Sequence, residues 1–190
     1  AASDVYKRQE FYYSIYGGLL EEMYAGLGAE VLYMPFRSRW AIGSTVNVVK
    51  KRDYSMKFDL LDYKTLTSFI SLFYASNFYN LDFALHIGKY LAKDKGYTIE
   101  TRRTFDNGFS IGAFATFTDV SKEEFGEGSF DKGLFLRIPF NSLFARNTRS
   151  SYSTTIRSIQ RDGGQKVDNF TGRLWHQFRN VRYDSLQRNI

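Results

Sequence analysis

Hydrophobicity in this chain alternates with a period of two over long stretches, and that alternation restricts the possible folds more than any other feature. Leu81, Phe83, Leu85 and Ile87 alternate with Asp82, Ala84, His86 and Gly88. Phe109, Ile111, Ala113, Ala115 and Phe117 alternate with Ser110, Gly112, Phe114, Thr116 and Thr118, and Ala25, Leu27, Ala29, Val31 and Tyr33 with Gly26, Gly28, Glu30 and Leu32. Leu134, Leu136, Ile138 and Phe140 face away from Gly133, Phe135, Arg137 and Pro139. Trp40, Ile42, Val46 and Val48 repeat the pattern with one lapse at Ser44. Tyr97, Ile99 and Phe105 follow it more weakly, because Arg103 falls on the apolar side. The segment Asp62–Ala75 is strand-like in composition without a clean separation of its faces. Such runs reach about ten to twelve residues, roughly twice the usual soluble strand and long enough to cross a bilayer at a tilt. The expected fold is all-β: an antiparallel outer-membrane-type β-barrel, or the C-terminal portion of one, with about nine or ten long strands.

The expected connections differ in kind. Short turns fall near Phe36–Arg39, Ser76–Asn80 and Asp106–Gly108, the last carrying an Asn-Gly hairpin signal. Longer polar stretches lie at Lys51–Leu61 and Thr118–Lys132, with a shorter one at Ala92–Gly96. Turns short at one end and longer at the other are the asymmetry of outer-membrane barrels. Aromatic residues gather at the turns: Tyr33, Phe36 and Trp40 at the first, Phe73, Tyr74, Phe78 and Tyr79 at the second, Phe105 and Phe109 at the third, Phe140 and Phe144 near a fourth. Rings at strand ends suit a membrane interface, where one edge of the ring is apolar and the other wet. Turn-flanking rings also plug the core of a soluble β-sandwich, so a soluble glycan-binding sandwich stands as the alternative.

Composition removes several other classes. The 190 residues carry no cysteine, which excludes a disulfide framework, a thiol nucleophile and cysteine-based zinc sites. A hydrophobic content of 43% is too high for a disordered chain. No apolar run is long enough for a membrane-spanning helix, a test to which barrels are blind. Lys and Arg outnumber Asp and Glu by 26 to 20, for a net charge of +6. The basic residues are spread over Lys50–Arg52, Arg102–Arg103, Arg146–Arg149 and the C-terminal stretch rather than along one helix. Lipid phosphates or an acidic polysaccharide suit that spread, and nucleic acid is not expected as a partner.

Chemistry-bearing residues are sparse. His86 and His176 are the whole imidazole inventory, neither at a metal-binding spacing, so no metal or cofactor is expected. Glu30, Asp82, His86, Glu100 and Arg102 fall opposite the apolar face of their strands and are candidates to line or plug a barrel lumen. The carboxylate pairs Glu21-Glu22 and Glu123-Glu124 are the only handle for a hydrolase, the less favoured third reading. No catalytic residue is assigned, and the protein is expected not to be an enzyme.

One segment carries more than a physical pattern. Phe125-Gly126-Glu127-Gly128-Ser129-Phe130-Asp131-Lys132-Gly133 is a Gly-rich stretch that re-enters an alternating strand. With Arg103–Thr118, the segment Gln160–Gln165 (QRDGGQ) and the stretch from Leu19 to Phe36, it resembles the YjbH family, which with the related GfcD proteins belongs to exopolysaccharide and group 4 capsule operons. The resemblance implies an outer-membrane location in Gram-negative bacteria and a role in making, exporting or surface-assembling polysaccharide. The implied partners are outer-membrane lipid or lipopolysaccharide, the exopolysaccharide, and other products of the same operon. It supplies no catalytic residues. Within the motif, Gly126, Gly128 and Gly133 read as backbone enablers, and Glu127, Asp131 and Lys132 as loop-ordering ion-pair candidates.

Three regions are expected. Residues 1–9 (AASDVYKRQ) show no pattern that continues into the chain and read as a non-native, adapter-derived segment. Residues 10–168 form the barrel region. Residues 169–190 alternate at Phe170, Gly172, Leu174, His176 and Phe178 but also place Leu174, Phe178 and Val181 on one helical face, giving a short helix, an irregular tail or a last strand. The chain reads as a C-terminal fragment of a longer protein.

Overall fold

The structure is a computed structural model, and its described residues are 10–21, 23–53, 59–119, 130–140, 151–157, 164–167 and 170–178. Nine strands form one antiparallel sheet in which every neighbour in space is a neighbour in sequence. They are β1 (Phe11–Leu19), β2 (Tyr24–Tyr33), β3 (Trp40–Arg52), β4 (Leu60–Ala75), β5 (Leu81–Lys89), β6 (Lys95–Thr104), β7 (Ser110–Thr118), β8 (Asp131–Pro139) and β9 (Ser151–Arg157). A short helix, α1 (Arg173–Gln177), follows. The sheet order runs from β1 to β9 without a β9–β1 pairing among the described residues.

The alternation read from sequence is realised with the apolar side outward. Ile15, Leu27, Ile42, Val46, Leu66, Ile70, Phe83, Ile87, Ile99, Ile111, Leu134 and Ile156 are all exposed, Ile15 to 82% and Ile70 to 65%. Their polar neighbours are the buried ones: Glu30, Thr45, Asn47, Thr65, Thr67, Ser71, Asp82, His86, Thr98, Glu100, Ser110, Thr116 and Asp131. A soluble sheet buries its apolar face. This one buries its polar face and leaves its apolar face bare.

The polar face is covered because the sheet curls around the C-terminal segment. Leu174 of α1 reaches β2 through Glu30, while His176, two residues on, lies 3.9 Å from Glu100 of β6. On a flat sheet those strands would stand about 19 Å apart, at about 4.8 Å per strand. Glycines facing inward make the curl and the filling compatible. Gly28 lies opposite Tyr16, Gly112 opposite Phe135 and Gly133 opposite Phe114. In each pair the aromatic ring occupies the space a Cβ would need. An inward ring laid across a facing glycine fills the pleat without pushing the strands apart.

Several sequence expectations change here. β1 and β9 add to the strands marked by alternation. In β1 tyrosines occupy both faces, and in β9 only Tyr152 and Ile156 mark the outward side. β4 separates its faces cleanly from Thr65 onward. Its sequence looks mixed because Phe69 and Phe73 share the inner face with Thr67 and Ser71. The connection expected over Lys51–Leu61 is shorter, since β3 continues to Arg52 through a register shift and β4 begins at Leu60. The end asymmetry is partial: the tight connections after β2, β4 and β6 share one end, but those after β1 and β5 at the other end are also short.

Gly112→Val tests the packing of ring over glycine. The added side chain meets the Phe135 ring and the Thr101 carbonyl, so the variant should lose about 1–3 kcal/mol. That loss should appear as a lower thermal midpoint by circular dichroism.

Candidate functional site

The site with the most chemistry is the interior of the curl and the segment that fills it. Gly164–Val167 and Phe170–Phe178 run along the inside from one end of the sheet to the other. At the first end the Gly164 amide donates to Asp94 Oδ2 at 2.8 Å and the Leu91 amide donates to the Gln165 carbonyl at 2.9 Å. At the same end Val167 packs with Leu20, Val49 and Leu91, and Phe170 lies 4.4 Å from the Tyr16 ring. Toward the other end Trp175 stacks on Phe73 at 5.1 Å, within a cluster of Leu32, Ala41, Ala75, Ala84 and Leu174, and Phe178 meets Tyr12 at 4.3 Å. Both apolar clusters of the interior are therefore built around the C-terminal segment.

Between them lies a polar network. Tyr16 donates to Asn47 Oδ1 at 2.6 Å, and Asn47 Nδ2 donates to Thr67 at 3.2 Å. Hydroxyls of Tyr90, Thr98 and Thr116 form a chain at 2.6 and 2.8 Å. Tyr90 sits in the β5–β6 turn; burial pushes its phenol up to about 12, Asp94 and Asp131 add to the rise, and the Thr98 hydrogen bond opposes it. The phenol thus keeps its proton and its place in the chain. Satisfied internally in this way, buried polar groups fix one arrangement instead of destabilising it.

All the lumen candidates read from sequence lie on this inner face. Glu30 is 1% exposed, and its Oε1 accepts the Leu174 amide at 3.1 Å. Glu100 gathers three basic groups: Arg102 at 3.1 Å, Lys166 at 3.8 Å and His176 at 3.9 Å. Arg102 also lies over the Phe135 ring, and Asp82 faces Arg102 across the β5–β6 pairing. His86 Nδ1 is 2.7 Å from Ser71 Oγ. That Ser–His pair is a poor candidate for nucleophilic chemistry, because both residues are about 1% exposed and His86 lies edge-on to Phe73. Among the described residues no group of three His, Asp or Glu side chains is arranged to hold a metal.

The loop motif divides. Gly126, Glu127 and Gly128 lie outside the described residues, as do Glu22, Glu123, Glu124 and Gln160–Gly163. Asp131, Lys132 and Gly133 belong to strand β8 instead of a loop. Asp131 is fully buried with Arg157 of β9 at 3.4 Å, a cross-strand contact, and Lys132 lies over the Phe130 ring.

Residues 4–180 match the model of the YjbH family, described as "Exopolysaccharide biosynthesis protein YbjH". The chain belongs to the YjbH family. It is 41% identical over 161 residues to the "Uncharacterized lipoprotein YjbH" of Escherichia coli (strain K12), covering 83% of this chain. The chain spans only 23% of that relative's length. No solved structure matches.

Sequence reasoning did not single out Lys166 or Trp175, which tie this family member's C-terminal segment into its interior. One signal was present: Leu174, Trp175 and Phe178 are apolar residues concentrated in an otherwise basic stretch. Gly164–Val167, just before the boundary expected at 168/169, lie in the interior as well. Trp175→Ala should cost about 3–5 kcal/mol of packing and loosen the segment. Trypsin should then cut at Lys166 or Arg173 in folded protein at conditions where the parent chain resists, as read by mass spectrometry.

Proposed function

We propose that this chain is barrel-forming, membrane-embedded sequence of an outer-membrane protein that assists exopolysaccharide production, export or surface assembly without catalysing a reaction. One observation carries the membrane reading: the sheet is inside-out, with its polar face buried and an apolar band exposed along all nine strands. Exposed apolar surface of that extent is costly in water and favourable against lipid hydrocarbon. Rings cap the band where an interface would lie. Tyr33, Trp40, Tyr74, Phe78, Tyr79 and Phe105 share one end and are outward, exposed or half-buried. Phe73, counted with them from sequence, instead faces inward against Trp175.

The E. coli relative's description as a lipoprotein fits an envelope location, and family membership supplies the link to exopolysaccharide. A glycan-binding sandwich would need a second layer over the apolar face, and none lies there among the described residues. The hydrolase reading rested on Glu21, Glu22, Glu123 and Glu124; of these only Glu21 is described, and it lies between β1 and β2, outside the interior network. The filled interior favours a supporting or assembling role over an open conduit through this sheet.

Ile70→Arg separates membrane from water. At an exposed site of a soluble protein the change is close to neutral, within about 0.5 kcal/mol. In a barrel near the bilayer midplane it costs about 2–4 kcal/mol and should deplete the protein from the outer-membrane fraction. For the role itself, deleting the gene should reduce surface polysaccharide in amount or length. An unchanged polymer would refute the assembly role.

A further inference from the structure

We propose that the turn-bearing end of the sheet carries a saccharide subsite, formed where the β4–β5 turn meets the end of β6 and the β6–β7 turn. The inference deepens the exopolysaccharide reading and rests on it for the source of the ligand. A pocket of about 220 Å³ opens there, lined by Asn77, Tyr79, Asn80, Arg103, Thr104, Phe105 and Asp106. Its volume suits one sugar ring.

The β4–β5 turn is fastened on both sides before any ligand arrives. Asn80 Nδ2 donates to the Thr104 carbonyl at the end of β6 at 2.6 Å, and Asn77 Oδ1 accepts from Arg39 of the β2–β3 turn. Arg103 is stacked as well: its guanidinium lies 4.5 Å from the Phe105 ring and 5.1 Å from the Tyr79 ring. Stacking of this kind orients the guanidinium plane and leaves its edge N–H groups to donate. Arg103 is also the residue that breaks the apolar alternation of β6, so its outward position has a local use.

Tyr79 is held at a cost. Its φ is +47° and that of Asn80 is +57°, both in the left-handed region. Asn tolerates that region; a bulky aromatic does so less readily, and strained residues of this sort collect at binding sites. A turn needing only to reverse the chain would be better served by Gly or Asn there. The Tyr79 side chain is nevertheless 62% exposed, beside an exposed Phe78 set edge-on to it at 4.5 Å.

The lining chemistry favours a sugar over a phosphate. Phosphate oxygens at neutral pH accept hydrogen bonds, and the Asp106 carboxylate beside Arg103 repels them. A sugar offers hydroxyls that both donate and accept, together with apolar C–H faces. Asp106 can accept from those hydroxyls, Arg103 can donate to them, the Asn77 and Asn80 amides offer both functions, and the rings of Tyr79 and Phe105 meet the C–H faces.

The test uses the intact protein in detergent micelles. Its ligands are fluorescent oligosaccharides cut from the exopolysaccharide of the producing cells and, separately, phosphatidylglycerol vesicles. Tyr79→Gly removes the ring and relieves the left-handed strain, so thermal stability should hold or rise while oligosaccharide affinity falls about tenfold. Asp106→Asn should weaken oligosaccharide binding while leaving vesicle binding no weaker, because the carboxylate only repels phosphate. Unchanged oligosaccharide affinity in both variants, no binding by the parent protein, or vesicle binding lost with Arg103→Gln while oligosaccharides are ignored would overturn the subsite. A deletion strain that keeps normal surface polysaccharide would overturn the assembly role instead, so the two failures are distinguishable.

Discussion

Contacts between the inner face of the sheet and residues Gly164–Val167 and Phe170–Phe178 decide the rest of the structure. The Glu30 carboxylate receives the Leu174 amide, Glu100 gathers Lys166 and His176 beside Arg102, and Trp175 lies flat on Phe73. Much of the polar side of the strands is thereby paired from within. The same strands must then present their other side outward, and that side is apolar. Burial of polar groups and exposure of apolar ones are thus two results of one arrangement.

The arrangement also limits what the interior can do. Charges taken out of water are tolerated where opposite charges and hydrogen bonds surround them, as at Glu100, and removing one partner leaves the others costly. Among the described residues the interior of the curl is occupied by Gly164–Val167 and Phe170–Phe178. At one end of the sheet the turns carry aromatic rings and arginines that are exposed or half-buried.

Much of this was legible in the sequence because a strand with one polar and one apolar environment writes them in alternate letters. β2, β3, β5, β7 and β8 could be read that way, and Glu30, Asp82, His86, Glu100 and Arg102 could be placed opposite the apolar face. Alternation failed where the inner face is itself apolar. Phe69 and Phe73 blur β4 because Tyr90 and Trp175 pack on them, and the tyrosines of β1 face both ways. No periodicity could reveal that Leu174 and Trp175 enter the interior, since that depends on contacts with residues about one hundred positions or more away in sequence. Asp131 looked like a loop residue for a similar reason: the Gly-rich approach masked the start of β8, and its contact, Arg157, lies on the following strand.

The chain has no native cysteine, which allows the central claim to be tested by single spin labels along β4 in lipid bilayers. Labels at Leu66, Ile70 and Leu72 should collide with lipid-dissolved oxygen and be shielded from a water-soluble nickel chelate. Labels at Thr67, Phe69 and Ser71 should be shielded from both. Outward labels that meet the nickel chelate freely, with no excess of oxygen collisions, would contradict the account.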